Sequence, residues 1–121
     1  MGVMMAGESL EDRFARGVAH EVVGEYEEAV QELLEVLRED AAHAGAHMHL
    51  GLIYGFTGLF DESVEELRAA VHLTPSDLVA RNHLAKTYAM LGCNDEAKEQ
   101  FTFVLEQGPD NEEALKNLVY L

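Results

Sequence analysis

Tryptophan is absent, proline occurs only at Pro75 and Pro109, and cysteine only at Cys93. A single cysteine excludes an intrachain disulfide and fits a reducing, cytoplasmic setting. No apolar run approaches the roughly 20 residues that a membrane helix requires, so no membrane span is expected. Residues 1–9 lack a basic segment and a long apolar stretch, and read as a flexible leader rather than a signal peptide. Basic residues are also scarce. Lysine occurs only at Lys86, Lys98 and Lys116, and the formal net charge is −15. That balance argues against nucleic acid, which demands clustered Lys and Arg, and against anionic lipid. Two explanations of the charge remain: recognition of basic partners, or a solvated surface tuned for solubility, as in a salt-loaded cytoplasm. The acids are spread along the chain, which favours the second.

What the chain does contain is a period. Gly17, Gly51 and Ala85 are 34 residues apart, and so are Gly24, Gly58 and Gly92. In the same register fall Tyr26, Phe60 and Asn94; the acidic pairs Glu27-Glu28, Asp61-Glu62 and Asp95-Glu96; then Ala29, Ser63 and Ala97. Leu33, Leu67 and Phe101 follow, then Val36, Ala70 and Val104, and Ala41, Pro75 and Pro109 close each unit. A fixed period of this length marks a stacked-repeat architecture.

Each column has a mechanical reading. The first small residue lets a neighbouring helix approach closely. The second glycine ends a first helix, because glycine tolerates the left-handed geometry of a helix C-terminus. The acidic pair then lies in the first turn of a second helix, where the macrodipole favours negative charge. The Ala, Leu and Val columns form one stripe of that helix. Proline is expected at the start of the next unit's first helix. Ser9-Leu10-Glu11-Asp12 and Thr74-Pro75-Ser76-Asp77 both have the form of capping boxes.

The 34-residue helix–turn–helix unit resembles the tetratricopeptide repeat. Residues 44–77 carry Leu50, Gly51, Tyr54, Gly58, Phe60, Ser63, Leu67, Ala70 and Pro75 at that family's signature places, and residues 78–111 match nearly as well. Residues 10–43 depart more: Arg16, His20 and Ala41 replace the expected leucine, tyrosine and proline. The resemblance implies an all-α fold, a right-handed superhelical stack of antiparallel helix pairs. Its units are 10–43, 44–77 and 78–111, with 112–121 a capping helix or the start of a fourth repeat, Leu115, Leu118 and Val119 packed inward.

In that family the first helix of each unit lines a concave groove. The matching residues put Phe14, Val18, Met48, Leu52 and Phe56 on an apolar floor, with Asn82, Lys86 and Met90 towards the other end. Glu11, Glu21, Val22, Gly45, Gly55, Val79, Ala89, Glu113, Lys116 and Tyr120 share the face. Such a floor suits an amphipathic helix or an extended peptide with apolar anchors. The bland alternative is that these residues cover the domain's own core. The family's best-known chemistry, a Lys, Asn and Arg cluster gripping a terminal carboxylate of heat-shock proteins, maps onto Phe14, Val18, His49, Val79 and His83. None is the expected type, so heat-shock carboxylate tails are not expected partners.

Chemistry beyond binding finds little support. His43 and His47 lie four apart, and His49 and His83 occupy equivalent places, but no three ligands are forced together, so no metal or other cofactor is expected. Cys93 reads as an exposed turn residue without a nearby cation to activate it. No Gly-x-Ser-x-Gly or His-Glu-x-x-His motif occurs, and no enzymatic role is expected. Ten acids against three arginines give residues 10–43 a charge of −7, heavier than the later units. Glu25, Glu27, Glu28, Glu32, Glu35 and Glu39 read as the outer face of one second helix. The resulting expectation is a protein-interaction scaffold that binds a peptide or helix of a partner protein in its groove. The alternative is a self-associating module forming homo-oligomers through groove or terminal helix.

Overall fold

The structure, a computed structural model, describes residues 8–121, which form seven α-helices and no strand. These are α1 (Leu10–Val22), α2 (Tyr26–Glu39), α3 (Ala44–Phe56), α4 (Phe60–Leu73), α5 (Leu78–Met90), α6 (Asn94–Gln107) and α7 (Glu112–Leu118). Most of the expected leader, residues 1–7, lies outside the described residues.

Odd-numbered and even-numbered helices start by different means. α1 opens on a capping box: Ser9 Oγ accepts from the Asp12 N–H at 3.0 Å, and Asp12 Oδ2 accepts from the Ser9 N–H at 3.0 Å. His43, Asp77 and Asn111 cap α3, α5 and α7, accepting from the N–H groups of Ala46, Ala80 and Ala114. The four caps are themselves 34 residues apart, a column that the sequence displays and that the mixed residue types Ser, His, Asp and Asn conceal. The expected box at Thr74 does not form. Thr74 ends α4, and Pro75 stands in the turn before the Asp77 cap, as Pro109 stands before Asn111. The prolines therefore stand between helices, at the entry to the cap, outside the helix interiors that proline disrupts.

α2, α4 and α6 have no side-chain cap. Each follows a glycine at φ 83°, 84° or 78°: Gly24, Gly58 and Gly92. The N–H groups of Glu25, Leu59 and Cys93 reach back to the carbonyls of His20, Tyr54 and Tyr88 at 2.8, 2.8 and 2.9 Å, closing the preceding helix. The acidic pairs occupy the first turns of α2, α4 and α6, as expected.

The core is a row of three clusters, each joining one hairpin to the next helix. Ala29, Leu33 and Val36 pack with Ala46, Leu50 and Ile53; Leu67, Ala70 and Val71 with Ala80 and Leu84; Ala85, Ala97, Phe101 and Val104 with Ala114. No hairpin buries its apolar face alone, which is the mechanical basis of a stacked α-solenoid. α1 touches α3, α3 touches α5 and α5 touches α7, whereas α2, α4 and α6 make no contact with one another. The stack therefore curves with the odd helices inside. The last helix turns differently from expectation: Ala114 is buried and Leu118 packs on the core, while Leu115 is 46% and Val119 80% exposed. Ala114 stands on the buried side of α7, and its neighbour Leu115 lies about 100° further round the helix.

Candidate functional site: the inner face

α1, α3, α5 and α7 present the inner face; the eight main groove residues lie on the first three, while Glu113 and Lys116 lie on α7 and Tyr120 follows it. The main residues fall into two groups. Leu52, Phe56, Lys86 and Met90 come together around a cavity of about 310 Å³ between α3, α4 and α5, completed by Gly55, Phe60, His83 and Thr87 among others. Gly55 leaves this cavity open, since a β-carbon there would meet only Ser63 Oγ, at 3.4 Å.

Phe14, Met48 and Asn82 serve more as walls than as a free floor. The Phe14 ring packs on the first core cluster and lies 4.6 Å from the His43 ring and 5.6 Å from the His49 ring. A β-carbon on Gly45 would come within 2.9 Å of Phe14 Cζ, so the glycine makes room for the ring. Met48 packs on the second cluster. Asn82 is only 4% exposed and donates Nδ2–H to Asn111 Oδ1 at 3.3 Å, and Asn111 Oδ1 also accepts from the Ala114 N–H. Val18 is half-buried on α1.

One regularity joins residues that the sequence placed on this face separately. Val22, Phe56 and Met90 are 34 residues apart, each is the last residue of its helix, and they are 78%, 62% and 66% exposed. The Tyr26 ring stands 6.3 Å from that of Phe56 and continues the apolar ridge between units. The signal was present in the sequence, but exposure of an apolar column cannot be told from burial by spacing alone.

Around this ridge the polar groups of the inner face are paired. His49 Nδ1 lies 2.7 Å from Glu21 Oε1, tying α3 to α1, and His43 Nε2 lies 2.9 Å from Glu11 Oε1. His47 turns instead to Glu66 of α4, at 2.8 Å. His43 and His47 thus serve different carboxylates despite their spacing, and among the described residues no three potential ligands group as a metal site requires. Lys86 donates to Glu113 of α7. That bond holds the Glu113 carboxyl below the usual carboxylate range. Burial pushes the His83 imidazole pKa down, and Lys86 adds to the effect.

Elsewhere, two expectations change. Glu32 is not on the outer face of α2: it bridges to α1, 3.0 Å from the buried Arg13 and bonded also to Arg16. Arg16, the departure from the repeat pattern, thereby becomes a clasp between α1 and α2. Cys93 is half-buried at the start of α6 rather than exposed. A larger cleft of about 430 Å³ lies on the opposite side of α5 from Lys86 and Met90, among Arg68, His72, Arg81, Glu96 and Glu99.

Comparison with known proteins agrees with this architecture. The family model described as Tetratricopeptide repeat matches residues 14–77. The chain belongs to the tetratricopeptide repeat family. Its fold is similar to the first tetratricopeptide domain of Spaghetti (RPAP3), solved bound to the HSP90 peptide SRMEEVD, with TM-score 0.87 and 22% identity over 92% of this chain and 88% of that one. It is also similar to the second such domain of human RPAP3, in complex with the HSP70 peptide SGPTIEEVD, with TM-score 0.83 and 25% identity over 89% and 90% of the two chains. MamA matches with TM-score 0.76 and 26% identity over 81% of this chain, which spans only 54% of MamA. No significantly similar sequence is found among curated proteins. Among the described residues of this tetratricopeptide protein, no helix is long and apolar enough to cross a membrane.

Proposed function

We propose that the protein is a non-catalytic interaction module that holds a peptide or helix of a partner protein along its inner face. Residues 10–43, 44–77 and 78–111 act as its repeats and 112–121 as a cap or the start of a fourth. The observation that carries this reading is the exposed column Val22, Phe56 and Met90 beside an open cavity of about 310 Å³. Contiguous exposed apolar surface costs solubility unless a partner covers it. Apolar anchors repeating at one-helix intervals suit the apolar face of an amphipathic helix or an extended segment. Met90 at one end is a pliant contact.

The two RPAP3 domains were solved with peptides ending in Glu-Val-Asp, and this chain offers poor chemistry for such an end. The places expected to hold a terminal carboxylate carry Phe14, Val18, His49, Val79 and His83. His49 already faces Glu21, and an arriving carboxylate would meet that negative charge as well.

The test is a fluorescence-anisotropy titration with a labelled amphipathic helical peptide, using wild type and the double variant Leu52→Glu, Met90→Glu. Loss of binding with an unchanged circular dichroism spectrum is the expected result; equal affinity for both proteins would refute the site. Self-association has one observation in its favour, the exposure of Leu115, Val119 and Tyr120 on one end of the stack. A single monomeric species in light scattering at high concentration would remove it.

A further inference from the structure

The inner face carries a charge pattern that specifies its occupant further. Three carboxylates from different elements act electrostatically on His83: Glu113 from α7, Asp77 at the start of α5, and Glu21 from α1. Two ammonium groups answer them, and both act on Glu113: Lys86 is bonded to it, and Lys116 also lowers its pKa. Among the described residues, Glu21 pairs with the imidazole of His49 and Glu11 with that of His43, neither of them a fixed cation. The middle of the groove is therefore negative beside an apolar cavity.

A second, independent feature points the same way. Asn82 lies one helical turn before Lys86 on α5, and its Oδ1 is buried without a hydrogen-bond partner. The amide orientation is fixed, because Asn111 Oδ1 is already an acceptor and requires the Asn82 Nδ2–H. The buried oxygen is out of a partner's reach, but its unbalanced partial negative charge adds to the negative potential beneath this face.

Resting on the groove reading above, we propose that the occupant is a cationic amphipathic segment of a partner protein. Its apolar side chains cover Val22, Phe56 and Met90 and enter the cavity at Leu52. Its Lys or Arg side chains lie over the carboxylates around His83. A protein of net charge −15 also draws such a segment in from a distance, which raises the association rate at low salt.

The experiment uses two labelled peptides of one helical design, identical in their Leu and Phe positions, one carrying Lys and the other Glu at every polar position. Both are titrated against the full chain by anisotropy in 50 mM and 500 mM NaCl, alongside SRMEEVD. The expected result is binding of the Lys peptide at least tenfold tighter than the Glu peptide, weakened by salt, with no binding of SRMEEVD. Glu21→Gln should weaken the Lys peptide several-fold, as should Glu113→Gln, which disturbs different packing, with thermal melts confirming that both fold. Glu39→Gln, an exposed change at the far end of α2, should leave affinity unchanged. Equal binding of both peptides, abolished by Leu52→Glu with Met90→Glu, would overturn the cationic occupant while keeping the groove. Equal losses from Glu21→Gln and Glu39→Gln would reduce the attraction to unspecific charge and overturn the proposal. Binding of the Lys peptide untouched by the Leu52→Glu, Met90→Glu variant would overturn the groove itself.

Discussion

Gly51 and Leu67 are packed so closely that a β-carbon on residue 51 would stand 2.5 Å from Leu67 Cγ and 3.3 Å from the Leu67 backbone nitrogen. This is where α3 crosses α4, and the glycine sets the separation of the two backbones. Gly51→Ala should therefore destabilise the fold by about 1–3 kcal/mol through overpacking. At Gly17 the same addition meets Leu33 side-chain atoms at 3.1 Å, which yield more easily, and the third unit already carries Ala85. Urea unfolding should rank Gly51→Ala well below Gly17→Ala in midpoint. Equal midpoints would contradict the close-approach reading.

The clasp between α1 and α2 makes a second prediction. Arg13 and Glu32 are both largely buried, whereas the Arg38–Glu35 pair has its arginine in solvent. Glu32→Ala would strand the Arg13 guanidinium without its counter-charge, a loss of about 3 kcal/mol. Arg38→Ala should cost less than about 0.5 kcal/mol. Denaturant midpoints of the two variants check the contrast.

Acid should loosen the stack at identifiable groups. His83 titrates below the ordinary histidine value of 6.5, so the folded chain keeps it neutral where the unfolded chain takes up a proton. Its contribution is fully present above about pH 6.5 and is lost as the pH falls towards the folded value. Glu113 is depressed as well; its contribution is present above the unfolded value near 4.5 and disappears as the pH falls through the folded one. The melting temperature should thus fall in two stages on acidification. His83→Gln should flatten the first stage, and Lys86→Met the second. A first stage unchanged by His83→Gln would refute the assignment.

Phe14 illustrates what spacing conveys and what it omits. The period placed it on the inner side of α1, where it is, but the two histidine rings and the Gly45 gap that enclose it come from α3. Phe14→Ala should accordingly lower stability by about 2 kcal/mol before it affects any ligand. Leu52→Glu, on the cavity wall, should leave the melting temperature within a few degrees of wild type.

The same division runs through the whole molecule. Columns set by local mechanics were legible: the left-handed glycines at 24, 58 and 92, the acidic first turns, and the buried Ala, Leu and Val stripes. Features decided by a few residues of register were not. Asp77, three residues beyond Thr74, caps α5, and of the three residues expected inward on the last helix only Leu118 packs on the core, because each position along a helix turns the side chain by about 100°. Arg13 and Arg16 were unreadable for another reason: their partner Glu32 belongs to the facing helix, and a charged residue gives no periodic sign of burial.

The central claim is that the surface built by α1, α3 and α5 receives another protein. Amide shift mapping of the isotope-labelled chain during titration with the Lys-rich amphipathic peptide tests it most directly. The account predicts perturbations concentrated at Val22, Leu52, Phe56, Lys86 and Met90, with the outer residues of α2, α4 and α6 quiet. Shifts confined to those outer helices or to Val119 and Tyr120, or no shifts at all, would contradict it.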